Sequence, residues 1–290
     1  SGSLIRAAMK QRKRSRAATK PSEAGSAARY ASFVAPRGGM ASMIERLAAK
    51  LPDENIRLNS PVEFVRPTED GRWLVGGCQP GQTADTFDGV IIATPAHHAA
   101  TILDEFDAKL SLELRQVEYA SCAVVSLAYD RKQIEHSLDA FGFVVPLVEQ
   151  RSILACNFSS VKYAGRAPDS TVLMRVFLGG DCQAGLLRLP HDDLITLAKL
   201  EVSDLLGIRG EPLLTQIKRH CRALPQYTIG HQDRVRRIEA RLTPTIALAG
   251  SAYHGVGIPA CVASGHAAAD RLLQTPIKRN ALQRRVPQPA

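Results

Sequence analysis

The residues best suited to chemistry gather between Gly250 and Leu273, in the run GSAYHGVGIPACVASGHAAADRLL. An apolar strand from Thr245 to Ala249 leads into a glycine loop, and a helix follows. Gly255 and Gly257 allow close backbone approach to a ligand, and Pro259 suits a first helical turn, where a missing N–H costs nothing. Beyond it, Val262, Gly265, Ala269 and Leu272 recur at helical spacing among small residues, so the helix is expected to pack closely under a sheet. Its positive N-terminal end would then face the loop, a setting for an electron-rich group. Gly255, Gly257 and Ala260 also fit the G-x-G-x-x-G/A pattern of dinucleotide sites. That pattern needs a second parallel strand and an acid about 20 residues on, whereas QTPIKRNALQRRVPQPA follows Leu273. The loop therefore reads as a closing cradle for a cofactor held mainly elsewhere, the plain alternative being a glycine turn before a core helix.

Other reactive types form no complete set. His97 and His98 follow Pro95 at a strand end, His220 and His231 bracket PQYTIG, and His254 sits in the glycine loop; none has a partner at metal-ligand spacing. Ser251 and Ser264 lack a G-x-S-x-G setting. No acid, base and nucleophile combine, which is the pattern expected when a cofactor carries the reaction and the protein orients it. No catalytic residue is assigned.

Composition narrows the classes. With 45% hydrophobic residues the chain can bury a sizeable core. No run approaches the ~18 apolar residues of a membrane span. The six cysteines form no C-x-x-C pair, which suits a reduced, cytoplasmic setting with buried thiols. The net charge of +9 is concentrated at the ends: residues 1–20 carry seven Lys or Arg and no acid, and residues 274–290 carry four and no acid. The body between is close to neutral, which argues against a nucleic-acid partner. The basic ends suit either peripheral contact with an anionic membrane or simple solvation.

The elements that position the loop follow from periodicity. Ser1 to Arg16 reads as a basic helix ending a preceding element, with a linker through Arg29. Met43, Ile44, Leu47 and Leu51 give an apolar helix face. Ile56 to Val65, Trp73 to Val75 and Phe87 to Ala93 read as strands with turns at Pro67 to Gly71 and Gln79 to Gly81. The run GVIIAT is apolar on both faces, as in a strand covered on two sides. CAVVSLAYD, FGFVV, SILACNF and TVLMRVFL follow without intervening helices and imply an antiparallel sheet. A helix over Leu194 to Leu205, closed by Gly207, and an extended stretch from Leu213 complete it. The expected organisation is α/β (α+β). Residues 1–32 form a basic helix and linker, 33–100 and 245–273 one cofactor layer, 101–244 an inserted, mainly antiparallel substrate domain, and 274–290 a disordered tail.

The terminal run, together with ALPQYTIGH, FGFVVP and FDGVIIATPA, resembles the flavin-dependent protoporphyrinogen oxidase family over roughly residues 1–273. The resemblance implies an FAD domain of the amine-oxidase type with an inserted substrate domain. It implies noncovalent FAD, a porphyrinogen substrate, and six-electron oxidation with oxygen as acceptor in haem biosynthesis. Carried over by position, Val62 would meet the adenine side of FAD, and Val256, Gly257 and Ile258 the isoalloxazine end. His220, where relatives carry Trp, would be a further flavin contact. The family's amino-terminal Rossmann unit has no counterpart here, so the chain resembles the carboxy-terminal part of such an oxidase, with the missing amino-terminal half as its partner. Alone it is expected to hold FAD weakly, for want of the pyrophosphate cradle. Protoporphyrinogen and coproporphyrinogen both stand as substrates. The alternatives are another flavin amine oxidase, a carotenoid desaturase, or a non-catalytic fragment that binds porphyrin or a partner chain.

Overall fold

The computed structural model describes residues 34–77 and 83–275. The basic segment 1–32, the turn expected at Gln79 to Gly81 and nearly all of the tail 274–290 lie outside the described residues. The described residues fall into two compact units, divided after Ile56. In the first, helix α1 (Met40–Ala48) starts after Gly39, whose carbonyl accepts a 2.7 Å hydrogen bond from Ser42 Oγ. None of its residues is buried, and Ile44, Leu47 and the following Leu51 are exposed.

The second unit opens with a three-stranded antiparallel sheet: β1 (Phe64–Pro67), β2 (Trp73–Gly76) and β3 (Asp85–Phe87). The run read as one strand from Phe87 to Ala93 is two. The turn-forming pair Asp88–Gly89 interrupts it, Phe87 closes β3, and β4 (Val90–Ile92) joins a different sheet. Likewise, most of the run from Ile56 stays outside β1, which begins only at Phe64.

Two helices follow, α2 (Ala96–Ile102) and α3 (Ala108–Arg115). Asp107 caps α3 by accepting from the backbone N–H groups of Lys109 and Leu110. Five strands then form an antiparallel sheet in the order β6-β7-β8-β5-β9: β5 (Tyr119–Asp130), β6 (Gly142–Val144), β7 (Ala155–Phe158), β8 (Thr171–Gly179) and β9 (Leu214–Pro225). Strict alternation sends Ala123, Val125, Leu127 and Tyr129 of β5, with Val172, Met174, Val176 and Leu178 of β8, to one face. Helix α4 (His191–Leu206) covers that face with Leu194, Ala198, Val202 and Leu206, one residue every helical turn, and ends at the left-handed Gly207.

After β9 come α5 (His231–Glu239), β10 (Ile246–Leu248) and α6 (Ile258–Gln274). Strand β10 pairs in parallel with β4, Ile246 opposite Val90 and Leu248 opposite Ile92, the adjacency expected of the two apolar runs. One face of this pair, with Ile92 and Ile246, enters a core shared with Val65, Trp73, Leu103, Leu110, Val235 and Ile238. Residues 101–117 and 231–242, counted from sequence with the inserted segment, therefore bury their apolar side chains in the core of the parallel strands. Bidentate pairs of Arg241 with Asp107 and of Arg237 with Glu113 tie α5 and the residues after it to α3. The other face, Ala247 and Ala249, meets Ala268 and Leu272 of α6.

Two sequence readings need correction. Ile91 is 40% exposed, so β4 is not covered on both sides among the described residues. The packed face of α6 runs through Ser264, Ala268 and Leu272, while Val262 is 50% exposed; a face read from small residues alone leaves its phase undetermined. The thiols divide as well: Cys122 and Cys156 are buried, Cys182 and Cys221 are exposed. No helix among the described residues is long and apolar enough to cross a membrane.

Candidate functional site

Ligands of open α/β sheets bind beyond the carboxyl ends of the parallel strands. Here those ends deliver Thr94 to His97 after β4 and the loop 250–257 after β10. The loop is built by its own backbone. Gly255 has φ 150°, and a Cβ there would lie 2.7 Å from the Cβ of Ala260, so this turn into α6 requires glycine. Gly250 N–H donates to Ser264 Oγ at 2.9 Å, which docks the start of the loop on the helix.

Tyr227, in the PQYTIG segment, clamps the loop from outside. Its hydroxyl donates to the Ser251 carbonyl and accepts from the Gly255 N–H, each at 2.7 Å. Its ring stacks on His231 at 3.9 Å between centroids and 14° between planes. His231 is buried, and its Nε2 lies 3.2 Å from the Tyr253 carbonyl. His254 reaches away to Glu239 at 2.7 Å. A cavity of about 220 Å³ lies among Tyr227, His231, Tyr253 and His254.

On the β4 side, the Tyr119 hydroxyl accepts from Ala96 N–H at 2.8 Å, and His97 meets the Tyr119 ring edge-on at 4.9 Å. Burial, then the charges of Arg222 and His98, lower the His97 pKa below the ordinary histidine value, so its ring is held neutral. Burial raises the phenols of Tyr119 and Tyr253 above theirs. A second cavity, about 320 Å³, opens beside Tyr119 where a bulge interrupts the pairing of β5 with β9 at Ser121. Four buried polar atoms around these strand ends have no hydrogen-bond partner: Thr94 Oγ1, His97 Nδ1, Tyr253 Oη and His231 Nδ1. Buried polar atoms are ordinarily satisfied, so these four are free to bond a ligand or water at the strand ends.

The sequence-derived residues are only partly assembled. Val256, Gly257 and Ile258 are contiguous at the mouth of α6, with Val256 62% and Ile258 50% exposed. No side chain caps this helix, which leaves its first N–H groups open to an acceptor. Val62 precedes β1 and is 40% exposed. His220 is half-buried on β9, opposite Cys122. No hydrogen bond among the described residues joins Val62 or His220 to the loop. The residues that sequence reasoning passed over are Thr94, Tyr119 and Tyr227. The first was legible as the residue ending an apolar strand before Pro95; the others act through partners distant in sequence.

The model of the family described as "Flavin containing amine oxidoreductase" matches residues 4–273. The chain belongs to that family. Among curated relatives, the coproporphyrinogen III oxidase of Propionibacterium freudenreichii subsp. freudenreichii is 34% identical over 82% of this chain and 44% of the relative. The mitochondrial protoporphyrinogen oxidase of Nicotiana tabacum is 27% identical over 81% and 50%. A crystal structure from Exiguobacterium sp. 255-15, described as a candidate protoporphyrinogen oxidase, has a TM-score of 0.71 at 30% identity and covers 82% of this chain and 52% of its own. Putrescine oxidase, at 16% identity and a TM-score of 0.63, shares the fold. The chain thus spans about half the length of the relatives it matches, and its fold is of the amine-oxidase type.

The residues present fit a flavin. A flat, largely apolar ring with an electron-rich edge matches exposed Val256 and Ile258 beside an uncapped helix start.

Proposed function

We propose that this flavin-family oxidoreductase oxidises a porphyrinogen with FAD, coproporphyrinogen III to coproporphyrin III in the first instance and protoporphyrinogen IX as the second substrate. The observation that carries the reading is the clamped glycine loop at the end of β10, opening onto an uncapped α6, in a chain of a flavin-containing family. The names of the relatives support the substrate class, and the higher identity to a coproporphyrinogen III oxidase supports the order.

When bound, FAD supplies two-electron oxidation with dioxygen as the final acceptor. Backbone N–H groups at the start of α6 would hold its electron-rich edge, with Val256 and Ile258 against the ring; Val62 and His220 are the further contacts in this reading. Tyr227 keeps the loop in position. Neutral His97, its Nδ1 unpartnered, is able to accept a proton at that atom, and Tyr253 Oη and Thr94 Oγ1 can donate hydrogen bonds. In the same reading, the β4–β10 layer is the cofactor part and the five-stranded sheet the substrate domain. The partner is an amino-terminal half that completes the parallel sheet and supplies the pyrophosphate cradle.

A chimera tests this: residues 4–273 replace the matching region of the Propionibacterium enzyme. Porphyrin fluorescence should grow with coproporphyrinogen III, with oxygen consumed. A folded chimera that holds FAD and oxidises neither porphyrinogen overturns the reading.

A further inference from the structure

The face of the five-stranded sheet turned away from α4 has its own chemistry. Register places Val144, Ala155, Phe177 and Val124 in one row across β6, β7, β8 and β5, and Lys218 of β9 ends that row. In the adjacent row, Arg175 of β8 stands beside Phe177, its guanidinium 5.6 Å from the ring centroid. Arg175 and Lys218 are both exposed, and neither joins an ion pair among the described residues. The acid in register on this face, Asp130, is engaged in capping the turn that follows β5. Val144, on the edge strand β6, is 78% exposed and leaves the apolar end of this row open.

Strand spacing sets the Cα atoms of Arg175 and Lys218 about 10 Å apart across the sheet and about 7 Å along it, or roughly 12 Å in all. An apolar strip with a guanidinium and an ammonium rooted at that separation complements a flat apolar molecule bearing several carboxylates on its rim. Such charge pairs fix orientation and select between partners more than they add affinity.

We infer that Arg175 and Lys218 hold separate carboxylates of a tetrapyrrole lying on the Val144–Phe177 strip, and that their wide separation selects the tetracarboxylate, which bears carboxylates on opposite rims, over the dicarboxylate, whose two carboxylates sit on neighbouring rings. The inference rests on the porphyrinogen reading above, and names the residues that set its substrate order. Arg175 binds a carboxylate through its planar fork, whereas Lys218 acts as a point charge. Both cations lie in strands whose cores are on the opposite face, so their replacement leaves the packing with α4 intact.

The test uses stable oxidised porphyrins and needs neither flavin nor turnover. Fluorescence titration of the whole chain should show coproporphyrin III binding more tightly than protoporphyrin IX, by a margin that shrinks as salt rises. In Arg175→Gln/Lys218→Gln, coproporphyrin III binding should weaken about tenfold, in line with the loss of two solvent-exposed ion pairs, and protoporphyrin IX binding much less. Arg175→Lys/Lys218→Arg should restore most of the preference. Wild-type protein that binds neither porphyrin overturns this inference and the porphyrinogen reading together. Wild-type binding unchanged by the double substitution, or weakened equally for both porphyrins, overturns the inference alone.

Discussion

At the residue scale, Tyr227 is the side chain on which the candidate site depends most directly. One hydroxyl closes the glycine loop from two sides, Ser251 carbonyl and Gly255 N–H, while the ring rests on His231. Tyr227→Phe keeps the stack and removes both hydrogen bonds. Each such bond is worth about 1 kcal/mol net, so the urea midpoint should fall by an amount equivalent to about 1–2 kcal/mol with the m-value unchanged. The Gly255 amide should lose protection in hydrogen exchange while amides of β5 and β8 keep theirs. Equal protection of Gly255 in both proteins would show that the loop holds itself. The sequence made the PQYTIGH segment visible but not this role. The hydroxyl's acceptor and donor are 24 and 28 residues away, and no local pattern encodes a contact across that distance. Val256, Gly257 and Ile258 were legible for the opposite reason: a strand, a glycine turn and a proline-opened helix are contiguous in sequence.

At the element scale, patterns of period two and of closed helical turns were read well, and patterns of small residues were not. β5, β8 and α4 alternate or repeat bulky side chains, so their faces follow from the sequence and reappear in one core. Helix α6 offers alanine, glycine and serine on nearly every side, and of the face read Leu272 packs against the strands while Val262 is exposed. Gly265 illustrates the consequence. From sequence it looks like a close-approach glycine, yet a Cβ built there meets nothing within 4 Å. Its remaining effect is the entropic cost of glycine in mid-helix, about 0.5–1 kcal/mol relative to alanine. Gly265→Ala should therefore raise stability by about that amount, read as a higher melting temperature. Gly255→Ala, at φ 150° and against Ala260, should lower it. A melting temperature lowered by Gly265→Ala would mean that α6 approaches its neighbours more closely than the geometry gives.

At the scale of the whole unit, the two cores differ in completeness. Among the described residues, the antiparallel sheet has five strands and a helix across one face, whereas the parallel layer has two strands, β4 and β10. Parallel strands are normally covered on both faces, and a two-stranded sheet is marginal by itself. Here α6 covers Ala247 and Ala249 but leaves Ile91 40% exposed, and on the helix Val262 and Leu273 are 50% and 83% exposed. Neither outer edge of the pair carries another named strand among the described residues, so each presents unpaired backbone groups. This was not legible in the sequence, because an apolar run such as GVIIAT reads identically whether or not its second face finds a cover. The physical expectation is association through the uncovered layer. Purified residues 1–290 should show a mass that rises with concentration in light scattering, together with fluorescence of an apolar dye such as ANS. Charged substitution of the exposed layer, Ile91→Lys with Val262→Lys, should reduce both, since neither side chain belongs to a buried core. Substituting the exposed Leu112 on α3 in the same way should leave both unchanged. A monodisperse monomer without dye binding across the concentration range would mean that β4 and β10, with α6 across them, form a layer that is sufficient as it stands.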